Sequence, residues 1–370
     1  MTVVLDSVNI DDEPEIAQSL EEEILDDSVR IKRKFEGDIP DITKPKAKRA
    51  NIKDPTPSLP SDFLPPSIPE VHTFDSTTFI TPVPKFILEA PDEAVVLGVD
   101  EAGRGPVLGP MVYGISYALK SFESTLKSKY KFADSKTLTD VKRTLLLQEM
   151  CQEGSELFEN VGWSTRTMTA KDISSGMLRS SSMGNYNLNE QAHDATMDLI
   201  EGVLNQKVNV REIYVDTVGP PTSYQIKLQT RFPGIKITVT KKADSLFPIV
   251  STASICAKVT RDISLNQSKN HLYSEDLQWG SGYPSDPKTS KWLNSSVDKL
   301  FGWSPMVRYS WQTSKDSLSK NGGYDVEWAE DNLKQEFNVK GFFKSDRENE
   351  RLLENLDISM LWYGKNVNLL

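Results

Sequence analysis

Apolar and polar positions alternate in blocks from about residue 80 to residue 310. Val95–Val99 is a short apolar run that reads as a strand, and Met111–Leu119 reads as a second, with a Gly/Pro-rich loop between them. In 137–150, Leu138, Val141 and Leu145 share one helical face, and 187–205 reads as another helix. Residues 211–216 form a strand pattern that ends in Asp216, and 235–240 alternates as a strand. The segment 248–262 is a helix pattern rich in small residues, suited to close packing on a sheet. Strands and helices interleave, so the pattern predicts an α/β body built on a mixed sheet. Residues 311–370 read as an appendage, with a linker-like "SKNGG" and a charged helix pattern over 344–356.

The pattern is absent before residue 79. Hydrophobic residues make up only 38 % of the 370-residue chain, and its formal net charge is −10. Residues 1–75 hold 17 acidic and 9 basic side chains, a net of −8, so the remainder is close to neutral. A near-neutral body can still carry a basic groove, because binding follows local clusters and not the sum. The first segment is acidic, then basic, then proline-rich, a composition that cannot bury enough apolar surface to offset chain ordering. The expected organisation is a tail over 1–78, a body over 79–312 and an extension over 313–370. Two basic clusters, Lys32-Arg33-Lys34 and Lys44 to Arg49, are spaced like a bipartite import signal, which points to the nucleus; the plainer reading is a solvated charge run.

Two distant cysteines, Cys151 and Cys256, fit a reducing compartment and look structural. No apolar run approaches the ~18–20 residues that span a bilayer, and the acidic N-terminus does not read as a secretory signal.

The candidate chemistry lies in a recurrence. An apolar run ends in acid beside a turn three times: Asp100-Glu101 in "GVDEAGRG", Asp216 in "YVDTVGPP" and Asp244 in "KKADSLFP". Strand ends from separate parts of a chain meet at one sheet edge, where sites are usually built. Converging carboxylates repel one another, and a hard divalent cation such as Mg²⁺ or Mn²⁺ removes that repulsion. With only His72, His193 and His271 and no paired cysteines, a zinc site is not expected. Carboxylates on two ions are a device for phosphodiester hydrolysis. The competing reading is that each acid caps a turn, which suits a lone Asp but gives no reason for an adjacent pair. Gly103-Arg104-Gly105 lets backbone approach a ligand and places a guanidinium beside the acids, suited to a phosphate.

These residues belong to a larger resemblance over about 93–312. The motifs "GVDEAGRGPVLGPMVYG" (98–114), "ADSKTL" (133–138), "YNLN" (186–189), "VDTVGPP" (215–221), "KADSLFPIVSTASICAKVTRD" (242–262), "GSGYPSDPKT" (280–289) and "VRYSW" (307–311) occur in the order found in type 2 ribonucleases H, and the chain resembles their eukaryotic catalytic subunits. The resemblance implies a ribonuclease-H-like five-stranded mixed sheet with flanking helices and a helical C-terminal part. It implies cleavage of the RNA strand of RNA–DNA hybrids, and incision 5′ of single ribonucleotides in duplex DNA, leaving 3′-hydroxyl and 5′-phosphate ends. It places two metal ions on Asp100, Glu101, Asp216 and Asp244, with Gly103, Arg104 and Gly105 reading the ribose 2′-hydroxyl. Tyr283 would stack on the following deoxyribose, although a tyrosine in a loop more often simply buries its ring. Lys136, Lys242, Lys258 and Asn187 would lie near the substrate backbone. The resemblance also implies a heterotrimer with two non-catalytic subunits, for which 311–370 is the expected docking segment. "EFNVKGFF" (336–343) is similar to a sliding-clamp motif, with Glu336 where glutamine is usual.

Two rivals remain at this point. One is a DNA nuclease or recombinase of the same broad fold, which the glycine–arginine–glycine loop and Tyr283 argue against. The other is a non-catalytic nucleic-acid scaffold, which the intact acid set argues against.

Overall fold

The computed structural model describes residues 63–132, 138–179, 184, 186–217, 219–272 and 278–324. Its centre is a sheet of β1 (Thr77–Ile80), β2 (Val95–Ala102), β3 (Met111–Leu119), β4 (Val161–Met168), β5 (Val210–Asp216) and β6 (Lys236–Thr240). The spatial order is β1-β4-β3-β2-β5-β6. The first four of these are joined antiparallel, and β2, β5 and β6 run parallel. The mixed sheet is as expected, but it has six strands and not five. The added edge strand β1 straddles the expected boundary between tail and body at 78/79. β4 gave no strand pattern, because Ser164, Thr165 and Thr167 are buried polar residues in a strand covered on both faces.

The helices are α1 (Lys85–Glu89), α2 (Glu123–Ser128), α3 (Asp140–Cys151), α4 (Glu156–Asn160), α5 (Ala170–Leu178), α6 (Leu188–Asn205), α7 (Pro221–Arg231), α8 (Ala243–Leu246), α9 (Pro248–Leu272), α10 (Pro287–Ser296) and α11 (Gln312–Lys320). One core layer sets Leu199, Ile200 and Val203 of α6 and Leu228 of α7 against Leu97, Val99, Ile115 and Val215. The opposite layer sets Leu146 and Leu147 of α3 and Ile249, Val250 and Ile255 of α9 against Val96, Ala118 and Trp163. Val95, Leu97 and Val99 face one layer and Val96 the other. Helices on both faces explain why β2 reads as an unbroken apolar run.

The small-residue helix packs as its composition predicts, and it extends to Leu272, ten residues past the expected end. A Cβ on Gly98 would lie 2.5 Å from the Ile249 carbonyl carbon, and one on Gly114 would lie 2.6 Å from the Ala253 carbonyl oxygen. The backbones of β2 and β3 therefore touch the backbone of α9 directly. This contact fixes where the ends of β2 sit relative to α8 and the start of α9.

Both expected boundaries fall inside packed structure. Ser67 and Ile68 are buried, the Ser67 hydroxyl hydrogen-bonds Thr260 at 2.8 Å, and His72 Nε2 lies 2.9 Å from Ser268 Oγ. The body thus begins before residue 79, because residues 63–76 lie along α9. At the other end, Ser314 donates to the Arg308 carbonyl at 2.9 Å and Ser317 bonds Asn294 at 3.2 Å, so the division at 312/313 cuts α11 from its support. The basic clusters, the 344–356 helix pattern and the clamp-like 336–343 lie outside the described residues. No helix among the described residues is long and apolar enough to cross a membrane.

Gly98→Ala or Gly114→Ala would force α9 off the sheet. Each is expected to cost at least about 1–3 kcal/mol of stability, read as a lowered midpoint in urea unfolding. An unchanged midpoint would show that α9 is not seated on these backbones.

Candidate active site

β2 does not stop at Val99. It continues through Asp100, Glu101 and Ala102, so the acid pair sits within the strand, paired with Gly114 and Tyr113 of β3. Asp216 closes the parallel neighbour β5, and Asp244 lies in α8, directly after β6. The topology therefore gathers all four acids at one edge. Asp100 and Asp244 are 6 % and 1 % exposed, too dry for ordinary surface carboxylates.

Asp216 is held by backbone. Its Oδ1 accepts from Thr217 N at 3.0 Å and from Ala243 N at 3.1 Å. Lys242, just before α8, has φ +59°, an αL conformation that costs energy for a residue with a side chain. That turn aims the Lys242 and Ala243 amides at Asp216. Lys242 thus has a backbone role beyond the phosphate contact expected of its side chain.

Burial pushes the Asp100 carboxyl well above its ordinary range, and the charge of Asp216 adds to this, while the Ser254 hydroxyl and the Lys258 ammonium partly offset it. Burial likewise raises Glu101, with further contributions from Asp100 and Asp216 against an opposing effect of Arg104. Asp216 is raised by burial and by Asp244, against the backbone amides that hold it. The acids therefore act on one another electrostatically. Among the described residues, no three His, Cys, Asp or Glu side chains are drawn into a ready-made cation cage. The donor set is all carboxylate, dry and mutually repelling, which fits hard divalent cations once the side chains turn inward.

The glycine loop is clamped from behind. Buried Arg308 donates from Nη2 to the Gly103 carbonyl (2.5 Å), from Nη1 to the Arg104 carbonyl (2.8 Å) and from Nε to the Gly109 carbonyl (3.0 Å). Trp311 Nε1 donates to the Gly105 carbonyl at 3.1 Å, and its ring lies 4.7 Å from the Arg308 guanidinium. The loop carbonyls are thus held from one side. Gly103 has φ +77°, and a Cβ there would lie 2.7 Å from the Pro110 carbonyl oxygen, so only glycine fits. The Gly282 carbonyl accepts from Val107 N at 2.8 Å, which ties the tyrosine loop to the glycine loop. Tyr283 Cε1 lies 3.3 Å from the Cβ position of Gly105, and 47 % of the tyrosine is exposed, as a stacking ring should be.

The Arg104 side chain donates to Tyr113 Oη at 3.3 Å and to Asn189 Oδ1. Asn187, expected near the substrate, caps α6: its Oδ1 accepts from Asn189 N (2.8 Å) and Glu190 N (3.1 Å), while Glu190 bonds back to Asn187 N (3.2 Å). That capping box occupies the Asn187 acceptor, and Asn189 is the residue that reaches the loop arginine. Lys258 stands near Asp100, and Lys136 lies outside the described residues. Sequence reasoning missed Arg308, Tyr113 and Ser254. Arg308 sat inside the "VRYSW" motif, but nothing in its spacing announced a buried arginine.

Two outcomes follow. Acids whose folded pKa lies above the unfolded value bind extra protons in the native state, so stability falls as pH rises through that window and then levels. Asp100→Asn is therefore expected to raise the melting temperature of the cation-free chain at about pH 8 and to change it far less at about pH 4, near the unfolded carboxylate pKa. Equal shifts at both pH values would contradict the repulsion. Arg308→Ala would orphan three buried carbonyls, at about 1–3 kcal/mol each. Urea unfolding should show a loss of several kcal/mol, and a loss below about 1 kcal/mol would mean the clamp is dispensable.

Comparison with known proteins identifies the family. The family model described as ribonuclease HII matches residues 97–314. The A subunit of ribonuclease H2 from Schizosaccharomyces pombe is 52 % identical over 274 residues, 73 % of this chain and 81 % of that protein. Its Homo sapiens counterpart is 46 % identical over 252 residues, 68 % of this chain and 80 % of that protein. Among solved structures, the ribonuclease H2 of Pyrococcus horikoshii OT3 aligns with a TM-score of 0.50 and 30 % identity, covering 61 % of this chain and 98 % of that one. The chain therefore belongs to the ribonuclease HII family, as a ribonuclease H of the group formed by the eukaryotic ribonuclease H2 catalytic subunits.

Proposed function

We propose that this ribonuclease H cleaves the RNA strand of RNA–DNA hybrids and also incises 5′ of single ribonucleotides embedded in duplex DNA. The observation that carries the reading is the meeting of Asp100, Glu101, Asp216 and Asp244 at one sheet edge, beside a glycine loop locked to Tyr283. Two divalent cations, Mg²⁺ or Mn²⁺, held by these acids would supply activation of water and stabilisation of the leaving oxygen. Asp100 and Glu101 give up protons as they take up cations, so cation affinity rises with pH.

The chain's own groups supply recognition. Backbone amides of Gly103 to Gly105, freed by the Arg308 clamp, meet a 2′-hydroxyl without Cβ obstruction. Tyr283, standing over Gly105, stacks on the sugar that follows, and a deoxyribose gives it the flatter surface. Incision leaves a 3′-hydroxyl and a 5′-phosphate, with the 2′-hydroxyl used for recognition and not as nucleophile.

Assembly and cellular place follow from the same relatives and from the chain's ends. The relatives are named as single subunits of ribonuclease H2, which supports a multi-subunit complex. We assign two non-catalytic partners, with the extension after residue 312 as the docking segment. The basic clusters at 32–34 and 44–49 support nuclear import, and 336–343 supports a weak sliding-clamp contact.

The test is a DNA duplex with one ribonucleotide, incubated with the full chain, alone and with its partner subunits. Cleavage 5′ of the ribonucleotide is expected with Mg²⁺ or Mn²⁺. It should stop on chelation and fall about 100-fold or more in Asp216→Asn. Products with 2′,3′-cyclic phosphate ends, or an Asp216→Asn variant as active as the parent, would overturn the mechanism.

A further inference from the structure

A cavity of about 220 Å³ opens beside the acids, between β2, β5 and the first turns of α6 and α7. Glu101 and Asp216 line it together with Arg104, Asn189, His193 and Ser223. His193 lies flat on Tyr224, with ring centroids 3.9 Å apart and planes 18° from parallel, so its imidazole is fixed in orientation. Among the described residues neither imidazole nitrogen has a hydrogen-bond partner, although the ring is half-buried.

The wall away from the carboxylates is built for an anion. Arg104 stands at its edge, positioned by Tyr113 and Asn189. The acids on the adjoining helix turns are engaged elsewhere. Glu190 bonds the Asn187 amide at 3.2 Å, and Asp194 accepts from Tyr186 Oη at 3.0 Å and faces Lys227 at 3.9 Å. Burial, together with the nearby charges of Lys227 and Arg104, holds His193 down to about 4, so it is neutral at physiological pH. A neutral imidazole offers one N–H to an acceptor at no cost in charge desolvation.

We infer that this cavity is a subsite for the phosphodiester next to the scissile one on the cleaved strand, with Arg104 and the His193 N–H as its donors. The inference rests on the nuclease reading above and adds to it a substrate contact and a residue. The scissile group belongs on the carboxylate side. The neighbouring group then falls on the donor side, because successive phosphates along a strand lie several ångströms apart and the cavity spans the acids to His193.

The experiment uses the full chain, alone and with its partner subunits, on one-ribonucleotide duplexes in which each linkage flanking the cut is replaced in turn by an uncharged methylphosphonate. His193→Ala should raise KM about tenfold on the unmodified duplex, the usual worth of a hydrogen bond to a charged group, and leave kcat within about twofold. His193→Gln, which keeps a donor, should recover most of the loss. At one flanking linkage methylphosphonate should weaken the parent at least tenfold and His193→Ala clearly less, because the variant then loses only the Arg104 contact, the signature of a shared contact. If the two losses multiply at every linkage, His193 acts through Tyr224 on packing and the subsite is wrong. An unchanged KM in His193→Ala also overturns it. Failure of the parent to cleave any duplex would instead remove the nuclease reading, and the subsite with it.

Discussion

A buried guanidinium organises the cleft. Arg308 sits in the interior, bonded to no carboxylate among the described residues, and spends its donors on the carbonyls of Gly103, Arg104 and Gly109. A cation removed from water is costly unless hydrogen-bonded, and burial, helped by the nearby charges of Arg261 and Arg104, lowers its pKa to about 9. Three main-chain acceptors and the Trp311 face offset much of that cost. The consequence is directional. A glycine loop left to itself samples many conformations, and this one has its carbonyls fixed on the inner side. The loop is thereby held in one shape, as the 2′-hydroxyl contact proposed for it would require. The link from Gly282 to Val107 then carries Tyr283 into the same frame.

The acids depend on a different contact. Gly98 and Gly114 let α9 lie on the sheet backbone, and Ser254 of that helix reaches Asp100. Pulling α9 close also sets α8, so that Ala243 N meets Asp216. A helix one methyl group farther out would move the Asp244 end of the site away from the β2 end. The close packing of small residues is therefore a positioning device for carboxylates, and its structural and functional roles are inseparable.

Much of this was legible from sequence wherever a residue's role follows from local pattern. The strands β2, β3, β5 and β6 showed as apolar or alternating runs, and the acids stood at their ends. β4 did not show, because the buried polar residues Ser164, Thr165 and Thr167 break the apolar signal, Ser164 bonding the Phe79 carbonyl. β1 was hidden because Thr77–Ile80 has no amphipathic length of its own and is defined only by its pairing with β4. Arg308 was invisible for a physical reason: burial of a charge depends on acceptors about 200 residues away in sequence. Asn187 misled in the opposite way. Its position before a helix carrying Glu190 is a capping-box signature, so its Oδ1 has a local role that the substrate reading did not include.

The carboxylate cluster shows what the fold tolerates for chemistry. Asp100, Glu101 and Asp216 are each driven toward the protonated form by burial and by one another, which opposes folding at neutral pH. Lys242 adds a strained αL turn in the same place. Strain and repulsion persist because the surrounding sheet and α9 over-determine the backbone. A site that were comfortable without cations, with its acids paired to lysines and arginines, would have little reason to bind them. Here Arg104 is held aside by Tyr113 and Asn189, and Lys258 offsets Asp100 only in part. The incomplete neutralisation is free energy that a divalent cation would recover on binding, so the unfavourable electrostatics of the cluster and the cation affinity proposed for it have one origin.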